Sequence, residues 1–242
     1  MSSTICPVAD FHTHTVFSDH AYSTITENAV AAARRGLLAV ACTDHGPAIR
    51  DGGDPLHFKN LRILPPTIEG VRMLRGAEAN VMDINGTLDM DSAVLQRLDV
   101  VIASMHGGYM QAGSREQITN AWLAVAENPD VDIIGHCGTP GFAFDYETVI
   151  PVFGQYGKVV EINEGTFRVR QSSLENCRRI ASVCKQHGVF VVVNSDAHFH
   201  EQVGCFSGAL QLLEDIDFPP ELVVNSTKER LEAFLQSKQL SL

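Results

Sequence analysis

Basic side chains are in short supply in this sequence: 18 lysines and arginines stand against 29 aspartates and glutamates, a net charge of -11 with histidine neutral. A surface of that sign repels nucleic acid and anionic lipid unless positive charge is supplied locally, for instance by bound metal. Aromatics are sparse too, with one Trp and four Tyr, so the stacking platforms of a single-strand-binding protein are missing. No apolar run approaches the length of a membrane span, and Met1 to Pro7 lacks a basic segment followed by an apolar one. Neither a spanning helix nor a secretory signal is expected. The six cysteines (Cys6, Cys42, Cys137, Cys177, Cys184 and Cys205) form no C-x-x-C pair, and several lie in apolar runs. They read as reduced core residues. These absences describe a cytoplasmic protein with no nucleic-acid and no membrane partner.

What is present is a long alternation of short apolar runs and amphipathic stretches. Apolar residues make up 45% of 242 residues, enough for one large domain spanning residues 1–242. Strands are expected at Pro7–Phe11, Leu37–Thr43, Val71–Gly76, Val100–Ser104, Val131–Gly135, Lys158–Asn163 and Val189–Asn194. Helices are expected at Glu27–Arg35, Ser92–Arg97, Arg115–Glu127, Glu147–Phe153, Leu174–His187, Cys205–Leu213 and Lys228–Ser237, with Thr24 and Glu27 at capping-box spacing before the first. Runs rich in Val, Ile and Ala separated by helices indicate a parallel sheet covered by helices. Seven repeats and a doubtful eighth, Leu222–Val224, favour an α/β barrel over an open sheet. One loop is long: Gly46 to Gly70 carries four prolines and two further glycines, and a loop of that size in a compact domain is often functional.

Seven of the ten histidines fall at or just beyond strand ends. The first strand runs into Asp10-Phe-His12-Thr-His14 with His20 following, the second into Thr43-Asp44-His45, and the third is followed by Glu78. The fourth runs into His106, the fifth into His136 and the seventh into Asp196-Ala-His198. In a parallel barrel the carboxyl ends of the strands share one face, which is where such enzymes place their sites. Alternation along extended chain sends Asp10, His12 and His14 the same way, and Asp196 with His198. Asp10, one step deeper, is as suited to orienting a ligand histidine as to binding metal. Nitrogen and oxygen ligands without thiolate suit zinc, manganese or iron. Seven histidines and two carboxylates exceed what one ion can use, so two or three ions are expected if carboxylates bridge. His187 closes a helix ahead of Gly188, where a helix-end cation explains it.

These motifs, with His20-Ala-Tyr-Ser, Thr43-Asp44-His45-Gly-Pro, Gly76-Ala-Glu78-Ala-Asn and Asp217-Phe-Pro-Pro-Glu221, resemble the PHP (polymerase and histidinol phosphatase) family, and within it the YcdX-like bacterial phosphatases. The resemblance covers nearly the whole chain in order. It implies a distorted (β/α)7 barrel, TIM-barrel-like and single-domain, with a trinuclear zinc site. In that site His12, His14 and Asp196 would bind one ion. Glu78 would bridge it to a second ion held by His106 and His136, and His20, His45 and His198 would hold the third. The segment after His106, Gly107-Gly-Tyr-Met, departs from the bulkier sequence of that group.

The function implied is a metal-dependent phosphatase that hydrolyses small phosphate monoesters with a metal-bridging hydroxide, since metal lowers the pKa of bound water to around 7 in favourable sites. Arg168 and Arg170, after the sixth strand, are candidates for a guanidinium clamp on the phosphate. No unique general acid is evident, with Asp44 and His200 the candidates, and the loop bearing His57, Phe58 and Lys59 is a candidate cover. Three other readings remain: a phosphodiesterase or nuclease, which the acidic charge and few aromatics oppose; an amidohydrolase, which the ligand order opposes; and a non-catalytic zinc-binding protein. A homo-oligomer is compatible with all of them.

Overall fold

The computed structural model describes residues 5–50, 52–110 and 113–242. Part of the Met1–Pro7 stretch and one residue of the long loop therefore lie outside the described residues. Seven parallel strands run round a nearly closed barrel in sequence order: β1 (Ala9–Asp10), β2 (Ala39–Cys42), β4 (Val71–Asn80), β5 (Val100–Ser104), β6 (Ile133–Ile134), β7 (Val159–Asn163) and β8 (Val191–Asn194). A short β3 (Thr67–Ile68) pairs antiparallel with β4. Helices α1 (Ile25–Arg34), α4 (Arg115–Glu127), α5 (Tyr146–Gln155), α7 (Leu174–His187) and α8 (Ser207–Asp215) belong to the outer layer, and α3 (Ser92–Leu95) and α6 (Gly165–Arg168) are single turns after β4 and β7.

The two-residue period of the strands sorts their side chains into two cores. Ala39, Ala41, Leu74, Val100, Ile102, Ile133, Val159 and Val192 fill the barrel, while Val40, Met73, Ala103, Ile134, Val160, Val191 and Val193 pack against the helices. The barrel core is completed from below by α9 (Lys228–Ser237), whose Leu231 and Leu235 join it and whose Phe234 meets the Phe11 ring edge-on at 5.3 Å. Thr24 and Glu27 form the capping box that starts α1, and Gly188, in the left-handed region at φ 65°, ends α7.

The doubtful eighth run is not a strand. Val223 makes a single parallel bridge to Val191, the Val224 amide donates to the Val191 carbonyl, and the Val8 amide donates to Asn225. The segment is wedged between β8 and β1 at the bottom of the barrel. Higher up, Thr13 bridges Ala197 and the Phe11 amide donates to Asn194 Oδ1 at 2.9 Å. The barrel is thus closed by a seam of isolated bonds rather than by a strand pair.

The stretch from Gly46 to Gly70 is more ordered than a loop. It holds α2 (Leu56–Asn60), a 3-10 turn (Leu61–Ile63) and β3, and Phe58 and Leu61 are buried in a core cluster with Cys42, Ala77 and Val101. Of the six cysteines, Cys42, Cys137, Cys177 and Cys184 are buried, Cys6 is exposed and Cys205 is half-buried, and all are free.

Candidate metal centre

The carboxyl ends of the strands bring all nine expected ligands into one cluster. Glu78 stands at its centre on β4, on the barrel side two residues above Gly76. A Cβ at Gly76 would lie 2.6 Å from Thr43 Cγ2 and 2.8 Å from the Val100 carbonyl, so the glycine permits β2, β4 and β5 to crowd together while β4 continues to Asn80. Glu78 Oε1 is 2.8 Å from His136 Nε2 and 3.5 Å from His106 Nε2. Its Oε2 is 2.8 Å from His45 Nδ1, 3.3 Å from His12 Nε2 and 3.6 Å from His14 Nε2. Burial works against the charged form of Glu78, yet the surrounding His12, His106 and His45 hold its carboxyl well below the usual carboxylate range.

Asp196 faces the same cluster from beyond β8. Its Oδ1 is 3.2 Å from His14 Nε2 and 3.5 Å from His12 Nε2. The His198 ring stacks 4.3 Å from that of His14 and lies 4.4 Å from that of His20, which is 5.2 Å from His45. Two of these residues occupy the left-handed region, His136 at φ 23° and Asp196 at φ 53°. A non-glycine residue held there costs on the order of 1–3 kcal/mol, and such strain concentrates at functional sites.

The donor set fits metal. His12 Nε2, His14 Nε2, His45 Nδ1, His198 Nε2 and Glu78 Oε2 are buried atoms without a hydrogen bond. Buried polar atoms are nearly always paired, so this many orphans facing one another point to cations as the missing partners. Three overlapping sets of ligand atoms lie within 4.8 Å of one another: His12, His14 and Asp196; His14, His45 and His198; His45, Glu78 and His106. Without a cation the histidines disagree about protons. Burial, and the charge of His45 next, push His14 down to about 3, whereas burial of His12 is overcome by Glu161, Glu78 and Asp196, which raise it well above the usual range.

Several supporting residues were not evident in the sequence. Glu161, buried on β7, accepts from His12 Nδ1 at 2.7 Å and Asn194 Nδ2 at 2.9 Å through Oε1, and from the His136 amide at 2.8 Å and Asn163 Nδ2 at 2.9 Å through Oε2. The signal was there: a carboxylate inside the apolar run Val159-Val-Glu161-Ile-Asn163. Asn80 Oδ1 lies 2.7 Å from His106 Nδ1. Both contacts orient rings that face the cluster.

Asp10 does not join His12 and His14. Regular strand ends at Asp10, and its carboxylate accepts from the backbone amides of His12, Ser195 and Gly204, so it holds the chain across the seam instead of a ring. Asp44 is unsuited to donate a proton. Burial opposes its charge, but hydrogen bonds from His57 and the Thr15 amide, with the charge of His14, hold its carboxyl well below the usual range. It is sealed by Thr15, Ser18 and Cys42. His57, stacked at 3.5 Å on Phe17 and 3.2 Å from Asp44 Oδ2, anchors the side of the barrel and does not line the cavity, which the same loop reaches through Ile49. His200 is engaged with Ser23 and Glu201 and does not line the cavity over the cluster.

That cavity measures about 440 Å³, and Arg168 and Arg170 both line it. Arg170 Nη2 donates to Asp196 Oδ2 at 2.5 Å and Asn163 Oδ1 at 2.7 Å, leaving a buried Nε without a partner. Gly165 makes room for this arrangement, since a Cβ there would lie 2.8 Å from both Arg170 Nη2 and Asn163 Oδ1 and 3.1 Å from Asp196 Oδ2. Gly165→Ala is therefore expected to displace the guanidinium and lower kcat/KM about tenfold, with Gly141→Ala, away from the cavity and with open space for its Cβ, as the folding control. Unchanged kinetics in Gly165→Ala would separate Arg170 from the reaction.

The PHP domain model matches residues 10–194. A probable phosphatase of Acetivibrio thermocellus is 43% identical over 96% of each chain. A probable phosphatase of Caldanaerobacter subterraneus is 44% identical, covering 96% of this chain and 92% of the relative. Among solved structures, histidinol phosphate phosphatase from Lactococcus lactis, complexed with zinc, L-histidinol and phosphate, superposes with a TM-score of 0.58 at 15% identity, over 87% of this chain and 92% of the other. A chain of archaeal ribonuclease P with mature tRNA gives 0.58 at 12% identity, over 96% and 91%. At such identities these two likenesses concern the fold alone.

Proposed function

Because this chain belongs to the PHP domain family, we propose that it is a metal-dependent phosphatase that hydrolyses small phosphate monoesters at a site for three divalent ions, zinc foremost. The observation that carries the reading is the cluster of orphaned buried donors around Glu78. The ligands would be His12, His14, His20, His45, Glu78, His106, His136, Asp196 and His198. The probable phosphatases among its relatives supply the reaction type. Bound divalent ions would supply water acidified toward neutral pKa and positive charge for the phosphoryl oxygens.

The residues of the chain divide the remaining tasks. Glu78 and Asp196 are the only carboxylates among the described residues lining the cavity, and neutral histidines bring no charge, so the loaded floor is electropositive beneath an acidic exterior. A dianionic phosphate is the group that gains most there. Arg170 holds Asp196 and Asn163 through Nη2 while its side chain lines the cavity, which places a guanidinium beside the phosphate. Glu161 keeps His12 Nδ1 engaged, so that Nε2 is the nitrogen turned to the cluster.

The test uses protein whose metal has been counted by elemental analysis. An aryl phosphate monoester should be cleaved at least about tenfold faster than the matching diester. A preference for the diester would replace the monoesterase by a phosphodiesterase, and inertness toward both with metal in place would leave a non-catalytic metal protein.

A further inference from the structure

The floor of the cavity, where Glu78, His45, His136 and Asp196 are buried, is where a phosphate would sit, so the alcohol half of an ester must face the mouth. There burial gives out: Arg168 is exposed and Val169 is 78% exposed. The polar groups at the mouth are donors. Gln202 Oε1 already accepts from the His198 amide at 3.0 Å, which leaves its NH2 to offer. The Tyr109 hydroxyl accepts from the Arg50 amide at 2.9 Å, which leaves its proton to offer. Arg168 donates through Nη2 to the Cys205 carbonyl at 3.3 Å, a neutral acceptor, and no carboxylate pairs with it among the described residues. Arg170, by contrast, is neutralised by Asp196. No described carboxylate stands at the mouth to receive a cation.

We infer, on the phosphatase reading above, that the substrates are phosphate monoesters whose alcohol half carries a carboxylate or other anionic acceptor, and that Arg168 is the residue that selects them. A guanidinium with its charge unspent meets a carboxylate with two parallel donors. An ammonium in the same place would face Arg168 with nothing to compensate it, and discrimination of this kind rests as much on the unfavourable partner as on the favourable one.

Three esters of nearly equal size isolate the effect: 2-phosphoglycolate, ethylene glycol monophosphate and O-phosphoethanolamine, whose alcohol halves are anionic, neutral and cationic. Comparing the parent with Arg168→Gln and Arg168→Glu cancels their different intrinsic reactivities. The anionic-to-cationic ratio of kcat/KM should fall about tenfold or more in Arg168→Glu and by an intermediate factor in Arg168→Gln. Relative to the neutral ester, the anionic ester should lose and the cationic ester gain, and the parent's preference should shrink as salt screens the charge. Binding of the inert analogues 3-phosphonopropionate and 3-aminopropylphosphonate, measured by calorimetry, should show the same fall in the anionic-to-cationic ratio without turnover. Equal ratios in all three proteins would overturn the role of Arg168, and a parent that prefers the cationic ester would overturn the substrate class. Metal-loaded parent that hydrolyses none of the three esters nor an aryl monoester would instead remove the phosphatase reading itself, and this inference with it.

Discussion

Glu78→Gln is expected to strip metal from the site and to lower turnover at least about a hundredfold. The side chain keeps its shape, but one of two oxygens becomes an NH2 that must face either His136 and His106 or His45, His12 and His14. An amide nitrogen ligates nothing, and the negative charge that offsets the cations is gone. His187→Ala is the matched control: it removes a histidine from the last residue of α7, beside the Gly188 cap and remote from the strand ends. That variant should stay within a few-fold of the parent in both metal content and rate. Elemental analysis and kinetics on the two proteins decide together. Full metal and a near-normal rate in Glu78→Gln would mean that Glu78 is not a ligand and that the three-ion assignment fails.

Glu161→Gln should be nearly as damaging although Glu161 is placed behind the ligands. Its two oxygens receive four donors: the His12 ring, Asn194, the His136 amide and Asn163. A carboxylate can accept all four, whereas a glutamine turns an NH2 toward two of them whichever way it is flipped. Two buried donors then lose their acceptor, at roughly 1–3 kcal/mol each. The His12 ring and the backbone of His136 also lose their anchor. Metal affinity, measured by competition with a chromogenic chelator, should fall about 10- to 100-fold, with a lower Tm of the metal-free protein. The Tm readout separates this role from simple ligation: loss of affinity with an unchanged Tm would argue that Glu161 binds metal directly instead of bracing the two histidines.

Much of this was legible in the sequence because local chemistry and global packing agree. Val100–Ser104, Arg115–Glu127, Leu174–His187 and Lys228–Ser237 were bounded to the residue, for the same reason in each case. Either an apolar run is flanked by polar residues, or a cap such as Ser114, Gly188 or Thr227 marks the end. The convergence of histidines was equally readable, since it needs only the rule that parallel strands end on one face. What escaped was decided by tertiary contact. Gly76 looked like the end of β4 but is a point of close approach within a longer strand. His57 looked like part of a lid because nothing local reveals that Asp44 and Phe17 await it. Arg170 looked like a free clamp because its bond to Asp196 spans 26 residues of chain.

The seam between β8 and β1 bears on more than closure. His12 and His14 hang from one side of it, and Asp196 and His198 from the other. Any cation that gathers these side chains also laces the first turn of the barrel to the last, across a join that has no continuous ladder among the described residues. Loading the centre and shutting the barrel are then a single equilibrium viewed from two ends, and each is strengthened by whatever favours the other. The centre doubles as the buckle of its own scaffold.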